Sequence, residues 1–311
     1  MAERTKRQPT SLAVEVDGRR LSLSNLEKVL YPEAGFTKGQ VIGYYQQVAP
    51  ALLTHLRGRP LTLKRYPDGV DGQFFFEKRC PSHRPDWVPV AEVWSGRNAA
   101  TVGYCVINEL AALVWVANLA SLELHTSLSR ADDIECPTMM VFDLDPGPPA
   151  TVVECCRVAL RLRELFEQMG LQGVAKTSGN KGLQLYVPLN TPTTYEGGTK
   201  DFALAVAQLL EKRHPAEVLS NMNKELRTGK VFIDWSQNDR HKTTVCAYSL
   251  RARPQPTAST PVTWDEVAAT AESGDPAALV FDAGQVVERV ARQGDLFAAV
   301  DELEQALPRL G

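Results

Sequence analysis

One segment near the middle of the 311-residue chain constrains the fold more than any other. Residues 138–145 read TMMVFDLD, an apolar run that ends in two carboxylates and is followed by Pro146 and Gly147. Such a run predicts a strand. Because side chains alternate across a strand, Asp143 and Asp145 share one face and Leu144 points into the opposite layer. The segment therefore predicts a sheet strand that presents two acidic groups together.

Shorter patterns on both sides of this strand predict a mixture of helices and strands. An amphipathic helix follows it, and Thr37 is a suitable N-cap for an earlier one. A helical turn is expected over 26–30, and Phe74 is expected to be buried in a strand core. Further strands are predicted at 21–25, 61–65, 73–78, 173–176, 183–187 and 230–235, and a further helix at 200–213. The predicted strands and helices do not alternate regularly, and this order favours an α+β fold with mixed or antiparallel sheets flanked by helices.

The distribution of charge suggests how the chain is organised. Its net charge is −3, yet residues 1–100 hold fifteen Lys and Arg against ten Asp and Glu, whereas residues 255–311 hold three against ten. A polyanionic partner is therefore plausible for the first third. We expect a flexible N-terminus at 1–11 and one domain at 12–311. That domain divides into a catalytic core at 12–255 and an acidic helical extension at 256–311.

Apolar runs and cysteines indicate the compartment. No run approaches the roughly 20 residues of a membrane span, and the basic N-terminus has no apolar segment behind it. The six cysteines are scattered, unlike those of a small disulfide-rich domain. Cys80 and His83 have the spacing of half a zinc site, but no second pair supports a structural zinc. A cytoplasmic protein is expected, with no membrane partner.

The acidic pair indicates metal chemistry. Two adjacent carboxylates repel each other unless a cation lies between them, and hard oxygen ligands suit magnesium or manganese. Asp234 lies in another apolar strand, where an unpaired carboxylate is costly to bury. It could complete a two-metal site, or it could form an ion pair with Lys230 or Arg227.

The loop at 177–182, TSGNKG, has the composition of an anion-binding turn. Two glycines let backbone N–H groups face an anion, Ser178 adds a hydroxyl and Lys181 adds a charge. It is not a Walker A motif, because no Ser or Thr follows the lysine. Alone, the loop could be an ordinary turn.

Ordered motifs from Leu21 to about Arg253 resemble the polymerase domain of bacterial DNA ligase D and related standalone primase-polymerases of the archaeo-eukaryotic primase superfamily. The motifs include NLEKVLYP at 25–32, KRYPDGVD at 64–71, FFEK at 75–78, LELH at 122–125, FDLDP at 142–146 and YSLR at 248–251. The resemblance implies a primase-polymerase core. The lysine nucleophile of a ligase is absent, since Tyr66 stands in its place, so we expect a polymerase unit alone, standalone or excised.

The resemblance implies specific roles at matching positions. Asp143, Asp145 and Asp234 match catalytic ligands of two manganese or magnesium ions. Ser178 and Lys181 match the triphosphate loop. Further nucleotide contacts are implied for Lys64, Phe75, Phe76, His125, Gln184, Gln237 and Arg251. Asn25, Lys28 and Lys38 match a pocket for the 5′-phosphate of DNA, and Arg227 matches a residue near the primer end.

Gln184 departs from the family pattern, which usually has histidine there. Glutamine donates a hydrogen bond but stays neutral, and a charge-assisted bond is roughly twice as strong as a neutral one. We therefore predict weaker triphosphate binding with the chemistry retained.

The resemblance implies DNA-repair synthesis at short gaps or double-strand breaks, with nucleoside triphosphates as substrates. A DNA ligase and an end-binding protein are the implied partners, in the nucleoid. One alternative is a two-metal nuclease, against which the triphosphate loop argues. A second is a DNA-end bridging module in which polymerisation is secondary.

Overall fold

A computed structural model describes residues 11–95 and 99–308. The N-terminus predicted to be flexible lies outside these residues except for Ser11, which begins the first strand. In the described part, the α-helices are α1 (Lys38–Leu56), α2 (Leu110–Asn118), α3 (Val152–Gln168), α4 (Lys200–Arg213), α5 (Trp264–Ser273), α6 (Ala283–Gln293) and α7 (Ala299–Glu302). The helix predicted at 200–213 is confirmed over the same residues.

Sheet I has six strands and contains the acidic segment. In spatial order its strands are β13 (Val218–Leu219), β14 (Val231–Asp234), β10 (Met139–Pro146), β12 (Leu183–Pro188), β11 (Val174–Thr177) and β16 (Pro261–Val262). All neighbours are antiparallel except β13 and β14. The acidic strand β10 therefore has a partner on each side, which fixes the register of its carboxylates.

Sheet II also has six strands. Five of them are ordered β15 (Thr244–Val245), β9 (Ser121–Thr126), β5 (Leu61–Arg65), β8 (Ala100–Cys105) and β7 (Val90–Ser95), and β6 (Phe75–Glu77) also pairs with β5. Two hairpins precede it, β1 (Ser11–Val16) with β2 (Arg19–Ser24), and β3 (Val29–Tyr31) with β4 (Phe36–Thr37). One mixed sheet and one antiparallel sheet, each packed against helices, confirm the α+β prediction.

Each sheet is covered by helices through its own apolar cluster. Thr37 caps α1, as predicted, and it does so in a reciprocal pair with Gln40. The buried face of α1 packs with β5 and β9. Helices α3 and α4 pack on the opposite face of sheet I, against side chains that include Leu144. Full burial of one such leucine contributes about 1.5–3 kcal/mol, so these clusters dominate the stability of the fold.

Two local expectations are wrong. Residues 26–30 do not form a helical turn that continues, because β3 begins at Val29 and pairs with β4. Phe74 is not core: 50% of its surface is exposed, and it precedes β6. Phe74 is exposed because β6 lies at the edge of the sheet, where no further layer covers its aromatic side chains.

The cysteines differ from expectation at one place. Cys80 and Cys105 form a disulfide with a Cα–Cα distance of 4.8 Å. The sulfur that could have served half a zinc site is therefore bonded to another cysteine.

Among the described residues, no helix is long and apolar enough to cross a membrane.

The predicted C-terminal extension is helical and packs on the core. Its strand β16 pairs with β11, and α6 contacts α1. The Gln305 side chain donates to the carbonyl of Pro188 at the end of β12. The division at residue 255 stays a prediction, since the extension adds a strand to the sheet that holds the carboxylates.

Candidate active site

The three predicted carboxylates lie on neighbouring strands of sheet I. Asp143 on β10 pairs in register with Asp234 at the end of β14, and Asp145 lies two residues further along β10. Leu144 is fully buried in the opposite layer, as the alternation predicted. Pairing between the two apolar strands therefore brings together acidic groups that are 91 positions apart in the sequence.

The row continues across the sheet. Asp143 pairs with Gln184 on β12, and Gln184 pairs with Lys176 on β11. Register partners share a face, so Asp234, Asp143, Gln184 and Lys176 form one lateral line of polar side chains. The line changes from acidic to basic across four strands, with Gln184 between the two charges.

Burial and mutual repulsion shape the electrostatics of the carboxylates. Loss of solvent, followed by the charge of Asp145, raises the pKa of Asp143 above its usual range. Burial and the charge of Asp234 likewise raise the pKa of Asp145, and Arg227 partly opposes this. The Arg227 guanidinium lies 3.8 Å from Asp145. The cluster therefore concentrates negative charge that a cation would stabilise.

Asp234 does not form the ion pair considered as an alternative. Its Oδ1 accepts from the backbone N–H of Ser236 at 3.1 Å and from the Ser236 hydroxyl, and its Oδ2 accepts from Gln237 Nε2 at 2.8 Å. Lys230 donates instead to the carbonyl of Pro215. Gln237, predicted to contact the nucleotide, thus holds the third carboxylate.

The donor set fits hard cations. The three aspartates offer carboxylate oxygens, and such ligands suit Mg²⁺ or Mn²⁺. Between residues 11 and 95 and between 99 and 308, however, no three His, Cys, Asp or Glu side chains are gathered closely enough to hold a metal ion. Asp234 Oδ2 instead accepts from Gln237, and Asp145 lies 3.8 Å from Arg227.

The loop between β11 and β12 lies beside the carboxylates. Ser178 Oγ accepts from the backbone N–H groups of Asn180 and Gly182, at 3.3 and 3.1 Å. Gly182 packs against β10 so closely that a Cβ there would lie 2.2 Å from the carbonyl oxygen of Leu144. Only glycine permits this approach, which places the exposed Lys181 above the acidic strand.

Gln184 is fixed by a buried lysine. Lys176, 1% exposed, donates to Gln184 Oε1 and, at 2.7 Å, to the hydroxyl of Ser259. The Gln184 amide nitrogen is left for Asp143, whose carboxylate it helps to stabilise. Burial lowers the pKa of Lys176 to about 7. The residue in the histidine position is thus oriented by its cross-strand neighbour.

Sheet II contributes a second set of predicted residues. Lys64 on β5 pairs in register with Glu123 on β9, and His125 lies two residues along on the same face. His125 Nε2 is 2.9 Å from the Glu123 carboxylate, and Arg251 Nε is 3.6 Å from it. Lys64, His125 and Arg251 therefore converge on one buried acidic group.

The predicted aromatic pair is divided between two faces. Phe76 pairs with Lys64, and its ring centroid lies 6.0 Å from that of His125. Phe75 pairs with Arg65 on the other face, with the guanidinium 5.1 Å from its ring. Phe74, not Phe75, accompanies Phe76, and the Lys64 ammonium lies 4.5 Å from the Phe74 ring.

The residues matched to a 5′-phosphate pocket lie around the β3–β4 hairpin. Asn25 has a positive φ of 53°, a conformation asparagine tolerates, and its carbonyl accepts from the N–H of Lys28. Lys28 is exposed and 3.0 Å from Asp68, whereas Lys38 is buried and donates to Ser24. Burial, then the charges of Lys28 and Arg65, lowers the pKa of Lys38 to about 8.

One cavity of about 240 Å³ connects the carboxylates of β10 with the loop between β11 and β12. Its lining residues are Asp143, Asp145, Pro146, Ser178, Asn180, Lys181, Gly182, Gln184, Arg227 and Arg251. Seven of these were predicted site residues. Asn25, Lys28 and Lys38 are not among its walls, so the structure separates the candidate phosphate pocket from the carboxylates.

Sequence reasoning missed three residues of the site. Glu123 shares the period-two face of His125 in residues 122–125, so alternation could have indicated it. The charge of Arg65 lowers the pKa of Lys38, and its guanidinium lies over the ring of Phe75. Nothing in the sequence shows that β6 returns beside β5. Lys176 is buried through pairing between β11 and β12, which single-strand patterns do not reveal.

Comparison with known proteins gives concordant matches. The family model described as "LigD, primase-polymerase domain" matches residues 37–297. The multifunctional non-homologous end joining protein LigD of Mycolicibacterium smegmatis is 42% identical over 284 residues, which cover 91% of this chain and 36% of that protein. The bifunctional LigD of Bacillus subtilis is 30% identical over 276 residues, covering 88% and 43%. The chain thus spans less than half the length of these relatives.

A solved structure gives the same result for the fold. The polymerase domain from Mycobacterium tuberculosis Ligase D in complex with DNA matches with a TM-score of 0.84 and 40% identity. The match covers 92% of this chain and 99% of that one.

Proposed function

The chain belongs to the LigD primase-polymerase domain family, and on that premise we propose that it extends primer 3′ ends at short gaps or double-strand breaks in DNA. As a member of this family it is a nucleotidyltransferase. We propose nucleoside triphosphates, ribonucleotides or deoxyribonucleotides, as its substrates and the downstream 5′-phosphate as the feature it recognises.

The 240 Å³ cavity is the observation that supports this proposal most strongly. Acidic residues form one wall, through Asp143 and Asp145, and the donor-rich loop of Ser178 and Lys181 forms another. A hydrolase of phosphate esters needs the carboxylates but has no use for a site for pyrophosphate. The combination therefore favours transfer of a nucleotide over the nuclease alternative.

The acidic end of sheet I would hold the metal ions. Asp143, Asp145 and Asp234 offer only oxygen ligands, and we propose that they bind two divalent cations, Mn²⁺ or Mg²⁺. When bound, such ions promote ionisation of the attacking hydroxyl and neutralise charge on the leaving group. Gln237 and Ser236 hold Asp234 by hydrogen bonds, so they preset its orientation.

Donors on the opposite wall would take the triphosphate. Lys181 supplies a full charge, and Arg251 adds a guanidinium at the boundary between the two sheets. Ser178 organises the loop through two backbone N–H groups. Gln184 donates an amide hydrogen from the floor. The in-line geometry of nucleotidyl transfer requires such fixed donors, because positioning and charge stabilisation provide most of the catalysis.

The DNA would lie across sheet II and the β3–β4 hairpin. We propose that Lys28 and Lys38 bind the 5′-phosphate with Asn25 beside them, and that Phe76 and Phe75 stack on bases. Stacking on an aromatic ring contributes about 1–3 kcal/mol per base and tolerates any sequence. Arg227, which faces Asp145 at 3.8 Å, would lie near the primer end.

The names of the relatives refer to non-homologous end joining. We propose the same setting for this chain, in the bacterial nucleoid, with a DNA ligase and an end-binding protein as partners.

Binding to a gapped duplex, and extension on it, with or without the downstream 5′-phosphate, test DNA recognition. We expect the phosphate to lower the Kd for the duplex. Lys28→Ala should raise the Kd for the phosphorylated duplex about tenfold, because one charge-assisted contact is lost. Arg157→Ala, an exposed cation on α3, is the matched control and should leave binding unchanged. Equal binding of phosphorylated and unphosphorylated duplexes by the wild type would contradict the pocket.

The bridging alternative is separated by a different readout. If polymerisation were secondary, Asp143→Ala would leave end joining intact and Lys28→Ala would abolish it. We expect Asp143→Ala to remove gap-dependent joining as well, since unfilled gaps cannot be sealed.

A further inference from the structure

Glu123 lies behind three side chains predicted to contact the nucleotide. Its side chain is almost fully buried, at 2% of the residue surface. It pairs across the strands with Lys64 and shares the face of His125. Arg251 approaches from the segment that follows β15. Three predicted site residues, Lys64, His125 and Arg251, therefore meet at one carboxylate.

Both oxygens of Glu123 are occupied. Oε1 lies 3.4 Å from the Lys64 ammonium and accepts from the backbone N–H of Ala252 at 3.2 Å. The Tyr66 hydroxyl is 3.5 Å from the same oxygen. Oε2 lies 2.9 Å from His125 Nε2 and 3.6 Å from Arg251 Nε. One carboxylate thus contacts three functional side chains and also fixes the backbone next to Arg251.

This arrangement has an electrostatic reason. Burial opposes ionisation, but the hydrogen bond with His125 and the charges of Arg251 and Lys64 lower the pKa of Glu123 to about 2. An ionised group at the centre offsets the repulsion between the two cations, the Lys64 ammonium and the Arg251 guanidinium, that would both face a triphosphate. Removing it would leave those cations free to separate before the nucleotide arrives.

We propose that Glu123 is a positioning residue for the incoming nucleotide, holding Lys64, His125 and Arg251 in the orientation that binds it. This inference rests on the proposed function. Glu123 itself does not touch the nucleotide, because its oxygens already have partners and an anion facing a triphosphate would repel it. Its effect passes through the three side chains.

The test measures binding of a non-hydrolysable nucleoside triphosphate with Mn²⁺, alongside KM and kcat for primer extension. Glu123→Gln keeps the shape but removes the charge and turns an amide N–H toward the cations. We expect Kd and KM to rise about tenfold, with a smaller change in kcat, because ground-state orientation is lost and the chemistry is retained.

Glu266→Gln is the matched control. Glu266 also accepts from an arginine, Arg289, and caps α5, but it is not among the residues that line the 240 Å³ cavity. Glutamine serves equally in such a cap, so nucleotide affinity should not change. Glu123→Asp, which keeps the charge but withdraws it by one methylene, should raise Kd in the same direction and replaces Glu123→Gln if that variant does not fold.

A double-mutant cycle with Lys64→Met distinguishes positioning from general damage. If Glu123 acts through Lys64, the loss caused by Glu123→Gln should be smaller in the Lys64→Met background than in the wild type. Equal losses in both backgrounds, or unchanged Kd in Glu123→Gln, would overturn the inference while wild-type binding still supports the proposed function. A wild type that binds no triphosphate would overturn both.

Discussion

At the scale of single residues, Gln184 shows how one substitution alters a site without dismantling it. Its neighbour Lys176 holds the amide oxygen, so the amide nitrogen faces Asp143 and the cavity. A neutral donor in a fixed orientation can still serve a phosphate, but without the additional strength of a charged one. The orientation was not predictable from the sequence, because it depends on pairing between β11 and β12.

Restoring histidine at this position is therefore a direct test. We expect Gln184→His to lower KM for the nucleotide, by about three- to tenfold, because a charged donor replaces a neutral one. The effect is measured by steady-state extension on one gapped duplex. An unchanged or higher KM would show that the neutral amide is not the weaker partner.

At the scale of elements, the contact between the donor loop and β10 determines where phosphate and carboxylates meet. Gly182 allows that contact, since a Cβ would lie 2.2 Å from the Leu144 carbonyl oxygen. Displacing the loop by about 1 Å can lower the rate about 100-fold. The donor loop leads into β12, and the carboxylates lie on the adjacent strand β10. Neither the loop nor the carboxylates can therefore move without disturbing sheet I.

Gly182→Ala should therefore lower kcat/KM for extension about 100-fold while the protein stays folded. Gly43→Ala is the control: Gly43 lies in α1, and a methyl group added there would have no atom within 4 Å. Alanine at that position should stabilise the helix by up to about 1 kcal/mol and leave extension unchanged. If Gly182→Ala extended primers as fast as the wild type, the close approach would not matter for function.

Elements also show what the sequence could and could not reveal. Apolar patterns identified β10, β5, α1 and α4: β10 by a continuous apolar run that ends in alternating Asp and Leu, and the others by their spacing of apolar residues. The prediction was wrong at residues 26–30, because β3 is only three residues long and its strand conformation depends on pairing with β4. The exposure of Phe74 and the role of Glu123 both follow from how β5, β6 and β9 pair, which is tertiary information.

At the scale of the whole molecule, the C-terminal segment is joined to the first helix by a buried polar cluster. His55 of α1 lies 2.9 Å from both Asp295 and Asp301, and Arg59 also contacts Asp301. Tyr248 donates to Asp295 at 2.7 Å. Burial alone would lower the pKa of His55, but the hydrogen bonds to the two aspartates outweigh it and raise that pKa.

This cluster predicts a pH-dependent contribution to stability. A raised pKa in the folded state means that the contribution of His55 is complete below about pH 6.5 and is lost as pH rises through the folded value. The difference in unfolding free energy between the wild type and His55→Gln should therefore be largest below about pH 6.5 and shrink as pH rises through the raised folded-state pKa of His55. Taking this difference cancels other buried groups, such as Lys176. A difference that stays constant across the range would contradict the assignment.

The central claim is that Asp143, Asp145 and Asp234 form the centre of a nucleotidyltransferase that lengthens a primer. The most direct measurement follows a labelled primer on a gapped duplex with nucleoside triphosphates and Mn²⁺, comparing the wild type with Asp143→Asn. We expect the wild type to lengthen the primer, and Asp143→Asn to bind the duplex normally but extend it no faster than a control without enzyme. A shortened primer, or equal extension by Asp143→Asn, would contradict the account.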